Sequence, residues 1–285
     1  MGKYKHFLGL GIAGNFALHL AQAGELEEFK EIITADEVAP KGMFPFYLPT
    51  TQNPLQETNL TAKKMLRNYP LSSDSIKLPK EDVNVQAEPE VGLICEFEYT
   101  AGKLSKITPT YFGAYNDCSI RVAGAEKISD KKNWGADSKG FSDALIKIDK
   151  FSEGGIMDSY AICSFLRRDG KLHAYGEDVA LSGYSYFYEK LTDWMQNQIL
   201  TQEDFGPLEP LEAYIEACEY PTQAIISIGA TRYTEYGEST FLQSGDEVIV
   251  TLYDTRLYTS ASVLTAMQNK NYDKEGMSVL AQKVH

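Results

Sequence analysis

The chain has 285 residues, 43% of them hydrophobic and 24% charged, which is enough to bury a sizeable core and too apolar for a disordered polymer. Forty acidic residues against 27 basic ones leave a formal charge of −13, which argues against broad docking on nucleic-acid phosphates. No stretch approaches the ~20 apolar residues of a membrane span. Cys95, Cys118, Cys163 and Cys218 lack Cys-x-x-Cys or zinc-ligand spacing, so they read as free thiols of a reducing, cytoplasmic compartment.

Lys3 and Lys5 followed by an apolar run over 7–13 superficially suggest a leader peptide, but Asn15 and His19 interrupt it. We expect a short buried strand there, then a helix capped by Asn15, carrying Phe16, His19, Leu20 and Ala23, and stopped by Gly24. Residues 40–60 are rich in Pro, Thr, Gln and Asn, and residues 70–80 mark a boundary near residue 80. Beyond residue 83 strands dominate. Val91, Leu93, Cys95, Phe97 and Tyr99 alternate with Glu90, Gly92, Ile94, Glu96 and Glu98, the period of a strand. Further strands are expected over 106–115, 143–149, 156–167, 171–175, 222–229 and 246–253, with Asp169-Gly170 as a hairpin turn. Phe187, Leu191, Trp194 and Met195 recur at helical spacing, as do Leu208, Leu211, Tyr214, Ile215 and Cys218 behind Pro207 and Pro210. Residues 260–268 predict another helix, followed by a polar tail or an arm across a dimer.

The chemistry concentrates in Glu88-Pro89-Glu90 and in Tyr115-Asn116-Asp117-Cys118-Ser119-Ile120-Arg121. Side chains two apart on a strand share a face, so Glu88 and Glu90 stand side by side, with Asp117 within reach. Two readings of this spacing stand. The carboxylates are solvated residues of an edge strand, or they converge and need a proton or a hard cation between them. An all-oxygen set without His or Cys favours Mg²⁺, Mn²⁺ or Ca²⁺ over zinc. Cys118, beside an anion, is a poor nucleophile.

The order of motifs is distinctive. Gly11-Ile12-Ala13-Gly14-Asn15-Phe16-Ala17-Leu18-His19 comes first, then Glu88-x-Glu90, Asn116-Asp117-x-Ser119-x-Arg121, Trp134 with Lys139-Gly140-Phe141, and Ser244-Gly245-Asp246. Taken together, the chain resembles the fumarylacetoacetate hydrolase superfamily over about residues 8–253. The resemblance implies an α+β, mostly β fold with a mixed-sheet roll or barrel core and peripheral helices. It implies a His-bearing N-terminal region with a lid and insertion (1–80), a catalytic core (81–255) and a C-terminal extension (256–285). Glu88, Glu90 and Asp117 match the family's divalent-cation ligands. Lys139 matches the lysine that neutralises the substrate oxygen, and His19 the histidine that works with a nearby Glu to activate water. A homodimer is expected on the same ground.

Three departures stand out. Pro89 confines its strand to an edge or bulge and threatens to turn one Glu away. Gln22 stands where the partner Glu of His19 is expected, and an amide takes no proton. Glu25 lies nearby but on another helical face. Ala230 replaces a substrate-binding threonine, leaving Asn15, Arg121, Thr231 and Arg232 to hold a substrate carboxylate. The implied activity is metal-dependent hydrolysis of a C–C bond in an acylpyruvate-like β-diketo acid. The alternatives are a decarboxylase or keto–enol tautomerase on a 2-oxo-dicarboxylate, which needs no water-activating Glu, and a non-catalytic binder of such metabolites.

Overall fold

The computed structural model describes residues 2–34, 36–50, 64–122 and 124–285. The first elements are β1 (Leu8–Ala13), α1 (His19–Gln22), β2 (Gly42–Tyr47) and the short β3 (Leu71–Ser72), β4 (Ser75–Ile76) and β5 (Asn84–Gln86). The long strands β6 (Pro89–Thr100) and β7 (Lys103–Asn116) follow, then β8 (Ser119–Arg121), β9 (Lys139–Phe141) and β10 (Ile146–Lys147). Next come β11 (Tyr160–Arg168), β12 (Lys171–Ala180), α2 (Tyr188–Thr201), α3 (Leu211–Ala217) and β13 (Gln223–Ser227). The chain closes with α4 (Glu235–Ser239), β14 (Glu247–Asp254), α5 (Ser260–Gln268) and β15 (Met277–Val284).

These strands build the mixed, mostly β architecture that was expected. One sheet runs β2-β1-β13-β6-β7-β9-β3, with β10 added to β7, and a second runs β12-β11-β14-β15-β4. β1 pairs with β13 in parallel, whereas β6 runs antiparallel to both of its neighbours, β13 and β7. The sheets meet where β7 packs on β14 and β15. There Phe112 meets Tyr160 edge-on at 5.0 Å, and the Ser278 hydroxyl accepts the Ala114 N–H at 2.9 Å. α2 covers the outside with the buried stripe Leu191, Met195 and Ile199.

Several expectations need correction. The three segments 1–80, 81–255 and 256–285 share their sheets, since β1 and β2 join β13 and β6 while β15 pairs along β14. The polar tail is therefore a strand, and Met277, Leu280 and Val284 bury in it. The helix expected from Asn15 shrinks to His19–Gln22, because Leu18 adopts φ 70° and breaks the run. Residues 156–159 form a 3-10 turn, and only Ile146–Lys147 of 143–149 pair as a strand. The two-faced alternation of β6 holds only from Cys95 outward, since Pro89–Cys95 are buried on both faces. The insertion expected before residue 80 falls partly on 51–63, outside the described residues. The Asp169-Gly170 turn joins β11 to β12 with both φ values positive, at 50° and 75°.

Glycine spacing in β1 decides what lies over the site. A Cβ at Gly9 would stand 2.4 Å from the Phe46 ring, and one at Gly11 would stand 2.3 Å from the Phe44 ring. The two missing side chains let these β2 aromatics lie flat across β1. We expect Gly11→Ala to force Phe44 off its seat and to cost about 1–3 kcal/mol, the usual price of overpacking, measurable by chemical denaturation. An unchanged midpoint would show that the ring has room to move.

Candidate functional site

Two backbone registers bring the acidic residues together. Asp117 N–H donates to Glu88 O at 3.0 Å, and Glu88 N–H donates to the Asn116 side chain at 3.1 Å, so the two acids stand abreast. Asn116 is itself held by Gln282 of β15 at 3.0 Å. β7 pairs with β9 at Tyr115–Phe141 and Asn116–Gly140, and this register carries Lys139 opposite Asp117. Gly140 is required by close approach, because a Cβ there would lie 2.2 Å from the Gln282 carboxamide.

Glu88, Glu90 and Asp117 are all buried, each offering an oxygen within 4.8 Å of the others. Pro89 thus turns neither Glu away. The Val91 N–H, two residues on, reaches only the Tyr184 hydroxyl at 3.4 Å, and β13 pairing stops at Gly92. Pro89 therefore stands where no strand asks for its missing donor.

Cations surround the cluster. Lys132 Nζ lies 2.6 Å from Glu88 Oε2 and 2.6 Å from Asp117 Oδ2. Lys139 Nζ pairs with Asp117 Oδ1. Arg121 Nη2 lies 2.8 Å from Glu88 Oε1, and its Nη1 lies 2.8 Å from Glu25 Oε1. Lys131 points the other way from Lys132 and ties Glu25 and Glu28 at 2.9 and 2.8 Å. Phe44 and Phe46 place their rings 5.3 and 5.7 Å from the ammoniums of Lys132 and Lys139.

This arrangement splits the carboxylates electrostatically. Burial pushes the Glu88 carboxyl up, but Lys132 and Arg121 outweigh it and hold the group far below its ordinary range. Among the described residues, no ion pair falls on Glu90. Burial, together with repulsion from Asp117 and Glu88, raises it well above its ordinary 4.5, while the Gly229 N–H donates to it at 2.9 Å. Burial lowers Lys139, against the pull of Asp117, and pushes the inert Cys118 thiol up to about 12.

His19 is buried, and its Nδ1–H donates to Thr231 O at 2.9 Å. Burial lowers its pKa, so the ring is neutral and Nε2 carries the lone pair. Gln22 is not a partner of that ring. Its carboxamide accepts the Tyr233 N–H at 2.9 Å and donates to Tyr233 O at 3.1 Å. Asn15 is likewise spent on backbone, bonding Tyr186 O at 3.0 Å, Ile228 O at 2.9 Å and the Tyr186 N–H at 2.9 Å. Among the expected carboxylate grips, Arg121 is committed to Glu25, Glu88, Gln86 and the Tyr233 hydroxyl. Arg232 pairs with Glu177 at 2.7 Å, and the Thr231 hydroxyl donates to Pro89 O at 3.3 Å.

Sequence reasoning missed Lys132, the inward turn of Glu25, and the roof of Phe44 and Phe46. The available signal for Lys132 was its place in the Lys131-Lys132-Asn133-Trp134 run. Nothing in that run says which lysine is buried, and both are. Glu25 reaches Arg121 because the chain reverses at Gly24, φ 72°, and the Glu25 N–H bonds Leu20 O at 2.9 Å.

The mixed sheets with a buried Glu-x-Glu and Asp cluster define a protein of the fumarylacetoacetate hydrolase fold, in divergent form. The chain belongs to DUF5718, a family of unknown function whose model matches residues 25–284. No curated protein sequence matches it. Among solved structures, 2-keto-3-deoxy-D-arabinonate dehydratase in its apo form superposes with TM-score 0.54 at 14% identity, covering 97% of this chain and 72% of that one. The same dehydratase complexed with magnesium and 2,5-dioxopentanoate gives TM-score 0.53 at 14% identity, with the same coverage. A fumarylacetoacetate hydrolase family protein from Yersinia pestis CO92 gives 0.52 at 12% identity, covering 98% and 92% of the two chains. At such identities the likeness concerns the fold.

The split carboxylates predict a pH signature in chelator-treated protein. A group raised in the folded state contributes stability that is fully present below its unfolded value, here 4.5, and lost as pH rises through the folded value. The Glu90 contribution should therefore be fully present in acid and fade as pH rises above 4.5. Glu90→Gln should flatten that part of the melting-temperature profile. Identical profiles for the variant and wild type would show that Glu90 is already ionised.

Proposed function

We propose that this protein is an enzyme of keto–enol chemistry on a small 2-oxoacid, working at the cluster of Glu88, Glu90 and Asp117. The cluster fits a hard divalent cation by its chemistry: three convergent carboxylates within 4.8 Å, all oxygen donors, one of them, Glu90, raised by burial and by its acidic neighbours. A bound Mg²⁺ or Mn²⁺ would neutralise the cluster and polarise the keto oxygen as a Lewis acid.

The observation that carries the choice of reaction is the environment of His19. A hydrolytic dyad needs a carboxylate behind the imidazole, and here Nδ1–H is donated to the Thr231 carbonyl while Gln22 is bound to the Tyr233 backbone. A carbonyl fixes the tautomer but does not stabilise the imidazolium as a carboxylate does. What remains is a neutral base with its lone pair on Nε2. Such a base suits removal of a proton from the carbon beside a ketone, with the electron pair passing to the keto oxygen. Lys139, buried and lowered by burial, supports charge on that oxygen and can return a proton. The magnesium and 2,5-dioxopentanoate complexed with the structurally similar dehydratase support a small oxo acid as the ligand class.

A second reading keeps C–C hydrolysis of a β-diketo acid. It is favoured by Glu25, which the reversal at Gly24 delivers to the Arg121–Glu88 pair. Against it, burial raises the Glu25 carboxyl, but Arg121, Lys132 and Lys131 together hold it below its ordinary range, which makes it a weak base. Assays with Mn²⁺ should show oxaloacetate tautomerisation or decarboxylation outpacing acetylpyruvate cleavage. His19→Ala should lower the former by about 10²–10⁴-fold, the span of a lost general base, while Gln22→Glu leaves it in place. Cleavage dominating in wild type, and lost in Glu25→Gln, would favour the hydrolase instead.

A further inference from the structure

Every oxygen of Glu88 and Asp117 already carries a positive partner. Arg121 holds Glu88 Oε1, Lys139 holds Asp117 Oδ1, and Lys132 holds the remaining oxygen of each at 2.6 Å. A cation bound by those same two oxygens would sit about 2.0–2.1 Å from each, in essentially the place the ammonium takes. Two positive charges do not share it. We propose that Lys132 is the resident counter-cation of this cluster, a tethered ammonium that a divalent ion displaces from Glu88 and Asp117 when it loads. This rests on the metal-site reading given above.

The three cations differ in how readily they can leave. Arg121 is wired to Glu25, Gln86 and Tyr233 as well as Glu88. Lys139 is held in the sheet by β9, with its ammonium also 3.5 Å from Cys118 O. Of the three, Lys132 is the one that spans Glu88 and Asp117, and it hangs from the end of a 3-10 turn, Ile128–Lys131, rather than from a strand. Its side chain is 5% exposed, so this is no solvated lysine. A buried ammonium is retained only where anions and π-faces compensate it, and here these are Glu88, Asp117 and the Phe44 ring. The consequence is a cluster that is held together without metal and binds metal by exchange. Its affinity is set below what three bare carboxylates would give, and metal entry is coupled to release of the 128–132 segment.

The test is calorimetric titration of Mn²⁺ into chelator-stripped wild type, Lys132→Gln, Lys132→Arg and Glu90→Ala, with melting temperatures of the same metal-free samples. Lys132→Gln should melt lower without metal and bind Mn²⁺ about tenfold or more tightly, within the usual range of coupling between competing ligands. Lys132→Arg, which keeps the charge, should stay near the wild-type affinity, and Glu90→Ala should lose binding. A second measurement needs no variant. Acylation of lysines in wild type, read by mass spectrometry, should find Lys132 protected without Mn²⁺ and reactive with it. Wild-type binding with equal or weaker affinity in Lys132→Gln, or Lys132 protected throughout, overturns the exchange alone. Absence of Mn²⁺ binding in wild type and Lys132→Gln alike overturns the metal-site reading and the exchange with it.

Discussion

Burying three carboxylates against one another is the constraint from which the rest of this site follows. Each unpaired charge taken out of water costs several kcal/mol even after relaxation, so the fold must supply positive charge, a proton or both. It supplies Arg121, Lys132 and Lys139 to Glu88 and Asp117, while burial and its acidic neighbours raise Glu90. The long β6–β7 pair and the β9 register place these groups in a dry interior where their attraction is strong. The supporting details serve the same end. Gln282 reaches across from the second sheet to steady Asn116, Gly140 makes room for it, and glycines in β1 let two aromatic rings close over the lysines.

A further layer of charge explains the N-terminal region. Glu25 and Glu28 answer Arg121 and Lys131, so the turn after α1 is latched to the 128–132 segment by ion pairs flanking the cluster. His19 enters from the same region, and its proton inventory is settled by a backbone carbonyl rather than by an acid. The site therefore has one neutral imidazole, one carboxyl raised well above its ordinary range and several committed cations. That is a different balance from a water-activating dyad, and on the proposed reading it favours moving protons on carbon and oxygen.

Much of this was legible from local pattern. The order of Glu88-x-Glu90, Asn116-Asp117 and Lys139-Gly140-Phe141 identified the residues that converge, because each motif sits on or beside a strand whose period dictates its face. The amphipathic stripes of α2 and α3 were legible for the same reason. What misled were places where distant partners override local preference. Asn15 reads as a helix cap, yet its amide is claimed by Tyr186 and Ile228, some 171 and 213 residues away. Gln22 reads as a substitute for a catalytic acid, yet the Tyr233 backbone takes both ends of its amide.

By itself, then, the sequence determined the strand periodicity and the individual motifs, the Glu-x-Glu pair among them, since each depends on residues within a few positions of one another; that the acidic cluster is buried was decided by the fold. Which cation meets which carboxylate was decided only by the tertiary structure. Lys131 and Lys132 are neighbours of identical chemistry, and only the seating of the 3-10 turn beside β2 and β8 sends one to Glu25 and the other to Glu88 and Asp117. Charge pairing of this kind is a matter of position and burial in three dimensions, and one-dimensional spacing carries neither.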